Sequence, residues 1–174
     1  MELSDDNGKT WRTTGWLPTG QANRSDRDYP EDIYAIQPSI LRLADGRLQI
    51  LCRTRNSRLA ASWSNDNGET WSEVTLTDMP NNNSGTDAVT LADGRHVLIY
   101  NDFATIPGTP KGVRTPLCVA ISDDGINWRR LAVLETSPVS QYSYPSIIQG
   151  RDGKLHAVWT WRRQRIKHAV IDPD

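Results

Sequence analysis

Apolar residues fall in short runs separated by polar turns, and no stretch repeats them at the spacing of a helix. Three pairs of runs flank an Asp-Gly turn. Residues 36–40 lead through Asp45-Gly46 to 48–52, residues 86–89 through Asp93-Gly94 to 97–100, and residues 144–148 through Asp152-Gly153 to 155–161. Asp-Gly between two apolar runs is a hairpin signal, because the tight turn needs positive φ and Gly supplies it. A third run follows each pair, at 59–63, 117–121 and 166–171, and a fourth follows the first two, at 74–77 and 131–134. The pattern predicts a repeating unit of four antiparallel strands, A to D, which is a propeller blade in an all-β fold.

The link between C and D is itself repeated. Ser64 to Trp71 reads Ser-Asn-Asp-Asn-Gly-Glu-Thr-Trp, Ser4 to Trp11 has the same Ser-x-Asp-x-Gly-x-x-Trp pattern, and Ser122 to Trp128 is one residue shorter. Each is read as a tight turn in which Asp accepts backbone N–H groups, Gly takes positive φ and Trp covers the turn. The Trp residues are spaced by 60 and 57, a period that marks a repeat architecture. The expected organisation is one partial propeller domain over 1–174. Residues 1–18 end one blade, with the end of a C strand and its turn over 1–11 and a D strand over 13–18; 36–77 and 86–135 are complete blades, and 144–172 is an incomplete one. The tally is twelve strands, about three blades.

Composition narrows the chemistry. At 174 residues the chain is long enough to bury a core, and a net charge of −1 points to neither nucleic acid nor anionic membranes. No apolar run is long enough for a membrane helix, and Met1 to Asp6 does not read as a signal peptide; the compartment is left open. Cys52 and Cys118 fall on different strands of different repeats and are read as buried free thiols. No metal-ligand spacing occurs, and neither a metal nor a cofactor is expected.

Strand direction separates two faces of the disc. A–B and C–D turns leave one face, while B–C loops and D-to-A connections leave the other. The variable loops therefore share a face, and loops on a rigid scaffold are the usual place for a site. Three residues break the repeat there. Arg53 stands where the later repeats have Asn101 and Thr160, Arg114 where the earlier repeat has Asn56, and Tyr142 where the others have Ala35 and Asn83. Trp159 and Trp161 are read as packing between blades, and the basic run Arg162, Arg163, Arg165, Lys167, His168 as solvated charge or an acidic-sugar contact.

The three Ser-x-Asp-x-Gly-x-x-Trp stretches resemble the Asp boxes, or BNR repeats, of the sialidase (neuraminidase) superfamily, and the resemblance covers essentially the whole chain. It implies the C-terminal half of a six-bladed propeller. It further implies that Arg53 and Arg114 hold the carboxylate of a terminal acidic sugar of a glycoconjugate and that Tyr142, in the pair Tyr142-Ser143, is the nucleophile of an exo-glycosidase. Gln37 falls where that family places the Glu that activates the tyrosine; it cannot act as a base and is expected to bind substrate with Arg53 and Arg114, and Glu31 lies nearby in a loop. The family's acid/base Asp and one further Arg belong to the N-terminal half. The alternatives are a uronate-processing polysaccharide lyase, with the arginines neutralising a uronate and Tyr142 as base or acid, and a non-catalytic carbohydrate-binding propeller. The expected partner is an acidic carbohydrate, and the complementary strand edges at the two ends point to a homo-oligomer or to a missing N-terminal half of the ring.

Overall fold

The computed structural model describes residues 1–18, 33–138 and 141–174. Strand β1 (Glu2–Leu3) pairs with β2 (Arg12–Thr13). Strands β3 (Ile36–Arg42), β4 (Leu48–Arg53), β5 (Arg58–Ser64) and β6 (Thr75–Pro80) form a four-stranded sheet in that order. So do β7 (Asp87–Thr90), β8 (His96–Asn101), β9 (Leu117–Ser122) and β10 (Arg129–Glu135). The last sheet has three strands, β11 (Tyr142–Gln149), β12 (Leu155–Trp161) and β13 (Arg165–Ile171). Every pairing is antiparallel, and no helix occurs among the described residues, so none is long and apolar enough to cross a membrane. The chain is a partial β-propeller of sequential meander blades.

The first blade departs from expectation in its count and its bounds. A two-residue C strand, β1, precedes the D strand, which makes thirteen strands among the described residues rather than twelve. The D strand stops at Thr13 instead of running over 13–18. Beyond β1's two residues it has no ladder partner, and Gly15 turns the chain at φ +95°. Residues 14–18 are tied down otherwise: Thr14 N donates to Met1 O (2.9 Å), and Val74 N donates to Pro18 O (2.7 Å).

Alternation along the central strands sorts side chains between two interfaces. Val97, Ile99, Leu117, Val119 and Ile121 pack against Ile147, Leu155, Ala157 and Trp159 of the last sheet. Their neighbours in sequence, Leu98, Tyr100, Cys118 and Ala120, face Leu41, Leu51, Leu59 and Ala61 of the preceding one. Both faces of β8 and β9 are thus buried, which is why they read as unbroken apolar runs. Each fully buried Leu, Ile or Val contributes about 1.5–3 kcal/mol. Cys52 and Cys118 are buried free thiols, and burial pushes the Cys52 thiol up to about 12.

The Ser-x-Asp turns close on themselves. Ser64 Oγ donates to Asp66 Oδ1 (2.8 Å) and accepts from Gly68 N (2.8 Å). Thr70 N donates to Asp66 Oδ1 (2.8 Å), and Trp71 Nε1 donates to Gly68 O (3.1 Å). Ser4, Asp6 and Trp11 repeat the scheme, as do Ser122, Asp124 and Trp128. Gln49, beside the Asp45-Gly46 turn of one blade, donates from Nε2 to the carbonyl of Gly125 in the Ser-x-Asp turn of the next (2.9 Å). The two kinds of turn therefore share one face of the disc.

Candidate functional site

Two of the A strands carry a bulge near their start. Register shifts separate Ile36 from Ser39 in β3 and Ser143 from Ser146 in β11. The shifts coincide with Gln37-Pro38 and Tyr144-Pro145, where proline has no N–H for the ladder. Gln37 (φ +55°) and Tyr144 (φ +50°) are both left-handed. Left-handed backbone costs a non-Gly residue about 1–2 kcal/mol, and such strain collects at functional sites.

Gln37 and Tyr144 each lie eight residues before their turn Asp, and the same place in the middle blade is Gly85. These three equivalent positions converge. A Cβ on Gly85 would lie 3.5 Å from Gln37 Oε1 and 3.5 Å from Tyr144 Cδ1. Arg53 Nη1 donates to Gln37 Oε1 (2.9 Å), and its Nε and Nη2 donate to Asn83 Oδ1 (3.2 and 2.8 Å). The Arg114 guanidinium carbon sits 5.3 Å from the Tyr144 ring centroid. Hydrogen bonding from Arg114, then its charge and the charges of Arg53 and Arg163, lowers the Tyr144 phenol below the ordinary tyrosine range. Burial, with help from Arg114, makes the Arg53 guanidinium easier to deprotonate than usual. Arg114 Nη1 is buried without a hydrogen-bond partner.

Of the residues singled out in the sequence, Arg53, Arg114 and Gln37 come together on this face. Tyr142 does not join them. It is 3 % exposed, its ring belongs to the apolar cluster between the last two sheets, and its backbone is tied to Arg114 O and Asn101 Nδ2. Tyr144, 52 % exposed, stands at the site instead. The bulge at Tyr144-Pro145 decides this, because an inserted residue re-aims the side chains beside it. The signal was present in the repeat: counting eight residues back from each turn Asp, rather than ten, finds Gln37, Gly85 and Tyr144. Glu31 and the connection over 20–32 lie outside the described residues.

Neighbouring polar groups fix the loops. Ser84 Oγ donates to Asn101 Oδ1 (2.7 Å), Asn81 Nδ2 to Ser84 O (3.0 Å), and Thr54 N to Asn81 Oδ1 (3.2 Å), all buried. The segment 102–116 folds back over them, with Gly112 N on Asn82 O (3.0 Å) and Asn83 Nδ2 on Pro110 O (2.8 Å). A groove of about 470 Å³ opens here, lined by Asn82, Lys111, Gly112, Arg114, Gln141 and Arg163 among others. Among the described residues no acidic side chain lines it, and Arg53, Lys111, Arg114 and Arg163 make no ion pair there. Among those residues, no group of three or more His, Cys, Asp and Glu side chains could hold a metal ion.

Comparison with known proteins adds the family. Residues 1–157 match the BNR repeat-like domain family. A comparison with curated protein sequences gives no match. Among solved structures, the chain is similar to the NanB sialidase from Streptococcus pneumoniae, with a TM-score of 0.70, 19 % identity, and coverage of 99 % of this chain and 27 % of that one. The intramolecular trans-sialidase from Ruminococcus gnavus gives 0.69 and 20 %, with coverage of 99 % and 37 %. The α-L-arabinanase from Penicillium chrysogenum gives 0.63 and 17 %, with coverage of 79 % and 46 %. The chain therefore spans less than half the length of each, and the likeness is one of fold. The self-closing turns, the four-stranded antiparallel blades and the match over 1–157 establish that the chain belongs to the BNR repeat-like domain family and has a sialidase-type propeller fold.

Proposed function

We propose that this face binds the carboxylate of an acidic sugar, and that the propeller to which it belongs is a sialidase-like glycoside hydrolase acting on terminal acidic sugars. The observation that carries the reading is the Tyr144 phenol held between Arg114 and Arg53, with no carboxylate to neutralise either guanidinium among the described residues. Guanidinium forks bind a carboxylate through paired hydrogen bonds and stay charged. Gln37 and Asn83 orient Arg53. A carboxylate beside the anomeric carbon repels a carboxylate nucleophile, whereas a phenol is free of that repulsion. In this reading the Tyr144 oxygen attacks the anomeric carbon as the bond to the leaving sugar oxygen breaks, and that oxygen takes its proton from a general acid, which the resemblance places in the N-terminal half of the ring. Gln37 cannot accept the phenol proton as a carboxylate would, and the two arginines favour the phenolate instead.

That same feature supports a second reading, a uronate lyase. Arg53 and Arg114 would neutralise the uronate carboxylate, which acidifies the C5 hydrogen. The Tyr144 phenolate would take that proton and, as the C4–O bond breaks, pass it to the leaving oxygen, giving a C4–C5 double bond and a free sugar hydroxyl with the phenolate restored.

Calorimetric titration with N-acetylneuraminic acid and with galacturonic acid tests the shared site. Arg114→Ala is expected to weaken binding by roughly 1.5–3 kcal/mol. No binding to the unaltered protein, or equal binding to both, overturns the acidic-sugar reading. An unsaturated, ultraviolet-absorbing product from a polyuronate selects the lyase.

A further inference from the structure

The turn between β12 and β13 is built from the wrong residues for its shape. Gln164 N donates to Trp161 O (3.0 Å), and both central residues are left-handed, Arg162 at φ +53° and Arg163 at φ +55°. Such turns select Asn-Gly, because a Cβ is strained at both places. Arginine at both runs against local preference, and strain of this kind clusters at binding and active sites. The Arg162 guanidinium rests on the Trp161 ring, 4.7 Å from its centroid, which braces the turn. Arg163 Nε donates to Gln141 Oε1 (2.8 Å), and both residues line the groove. Lys111, on the segment 102–116, lines the same groove.

We propose that this groove is a second anion subsite, which takes the next acidic residue of an acidic oligosaccharide through Arg163 and Lys111. The proposal rests on the reading that Arg53 and Arg114 hold the first carboxylate. Arg114 lines the groove and lies over Tyr144, so the two subsites are continuous. The volume of about 470 Å³ is in the range of small-molecule sites. The lining suits a sugar acid: cations for the carboxylate, and Asn82, Asn83, Thr109 and Gln141 as polar partners for hydroxyl groups. A chain carrying one acidic group per residue uses both subsites, whereas a single terminal acid on a neutral glycan uses one.

Calorimetry at low salt with N-acetylneuraminic acid and its α2,8-linked dimer, and with galacturonic acid and digalacturonate, reads the difference. One dimer is expected to bind about tenfold tighter than its monomer, the gain of an added charge-assisted contact. Arg163→Gly and Lys111→Gln should bring that ratio toward one. Because Gly relieves the left-handed strain, Arg163→Gly should melt at or above the temperature of the unaltered protein, which separates a ligand role from a structural one. Monomer binding that responds to Arg114→Ala, with no dimer preference or with a preference that survives Arg163→Gly, overturns this subsite alone. A lower melting temperature for Arg163→Gly assigns Arg163 to the fold and also overturns it. Absence of binding by every probe overturns the subsite together with the reading beneath it.

Discussion

Ser39 and Ser146 grip the two oxygens of one carboxylate. Ser39 Oγ donates to Asp87 Oδ1 (2.9 Å) and Ser146 Oγ to Asp87 Oδ2 (3.0 Å), with Ile147 N also on Oδ2 (3.0 Å). The three residues lie at equivalent places in their A strands, six before each turn Asp. Asp87 thus pins three blades together directly beneath Gln37, Gly85 and Tyr144. Asp87→Ala should destabilise the protein by about 2–3 kcal/mol, because hydrogen bonds to a charged acceptor are lost while their donors remain. Asp87→Asn, which keeps one carbonyl acceptor, should cost less. Urea denaturation of the two variants measures both, and an unchanged midpoint for Asp87→Ala would remove the pin.

The phenol at Tyr144 should ionise below the ordinary tyrosine value of about 10. Ultraviolet titration of the unaltered protein, of Tyr144→Phe and of Arg114→Gln isolates it. The early step should vanish in the first variant and move upward in the second, because Arg114 is its largest cause. Tyr142→Phe should leave that step in place, while Tyr142→Ala should cost about 3–5 kcal/mol as a core truncation.

Two glycines on the loop face should respond differently to alanine. A Cβ at Gly85 makes ordinary contact with Gln37 and Tyr144 at 3.5 Å. At Gly112 it would lie 2.2 Å from the backbone oxygen of Ala104. Gly85→Ala should therefore fold and melt normally, whereas Gly112→Ala should loosen the segment 102–116 and show early amide exchange there. Gly85→Phe would occupy the space between Gln37 and Tyr144, and should weaken acidic-sugar binding at least as much as Arg114→Ala does.

Stability should fall in acid in two stages. Burial lowers the pKa of His96 from 6.5, so the unfolded chain takes up the proton first. Its contribution is fully present above pH about 6.5 and is lost as pH falls through the lowered value. The Ser-x-Asp carboxyls follow. Hydrogen bonds, that from the Thr70 hydroxyl foremost, hold Asp66 down to about 2 against an ordinary 3.8, and Asp6 and Asp124 shift the same way. Their stabilisation is present above pH about 4 and is lost toward pH 2. Melting temperature against pH checks this: His96→Gln should remove the first decline and leave the second.

The fold was legible because it is written repeatedly and locally. Asp45-Gly46, Asp93-Gly94 and Asp152-Gly153 announce hairpins, and Ser64, Asp66, Gly68 and Trp71 make a turn from their own atoms. The site is only partly local. Arg53 and Arg114 stand out as departures from the repeat, but Tyr142 and Tyr144 differ by a bulge, and a bulge reverses which of two nearby side chains meets solvent. The buried network through Asn81, Ser84 and Asn101 joins three loops and has no signature in any one of them.

The self-contained turns have a consequence for anyone building chimeras from such blades. Because Ser64, Asp66, Gly68 and Trp71 bond within one turn, the turn keeps its internal bonds when it travels with its blade and loses only links between turns such as Gln49 to Gly125. On the loop face the dependencies cross between blades: Gln37 and Asn83 share Arg53, and Asn101 holds Tyr142. A transplanted single blade would bring its scaffold whole and arrive with a third of a site, so recognition on this disc is exchangeable only as a set of adjacent blades.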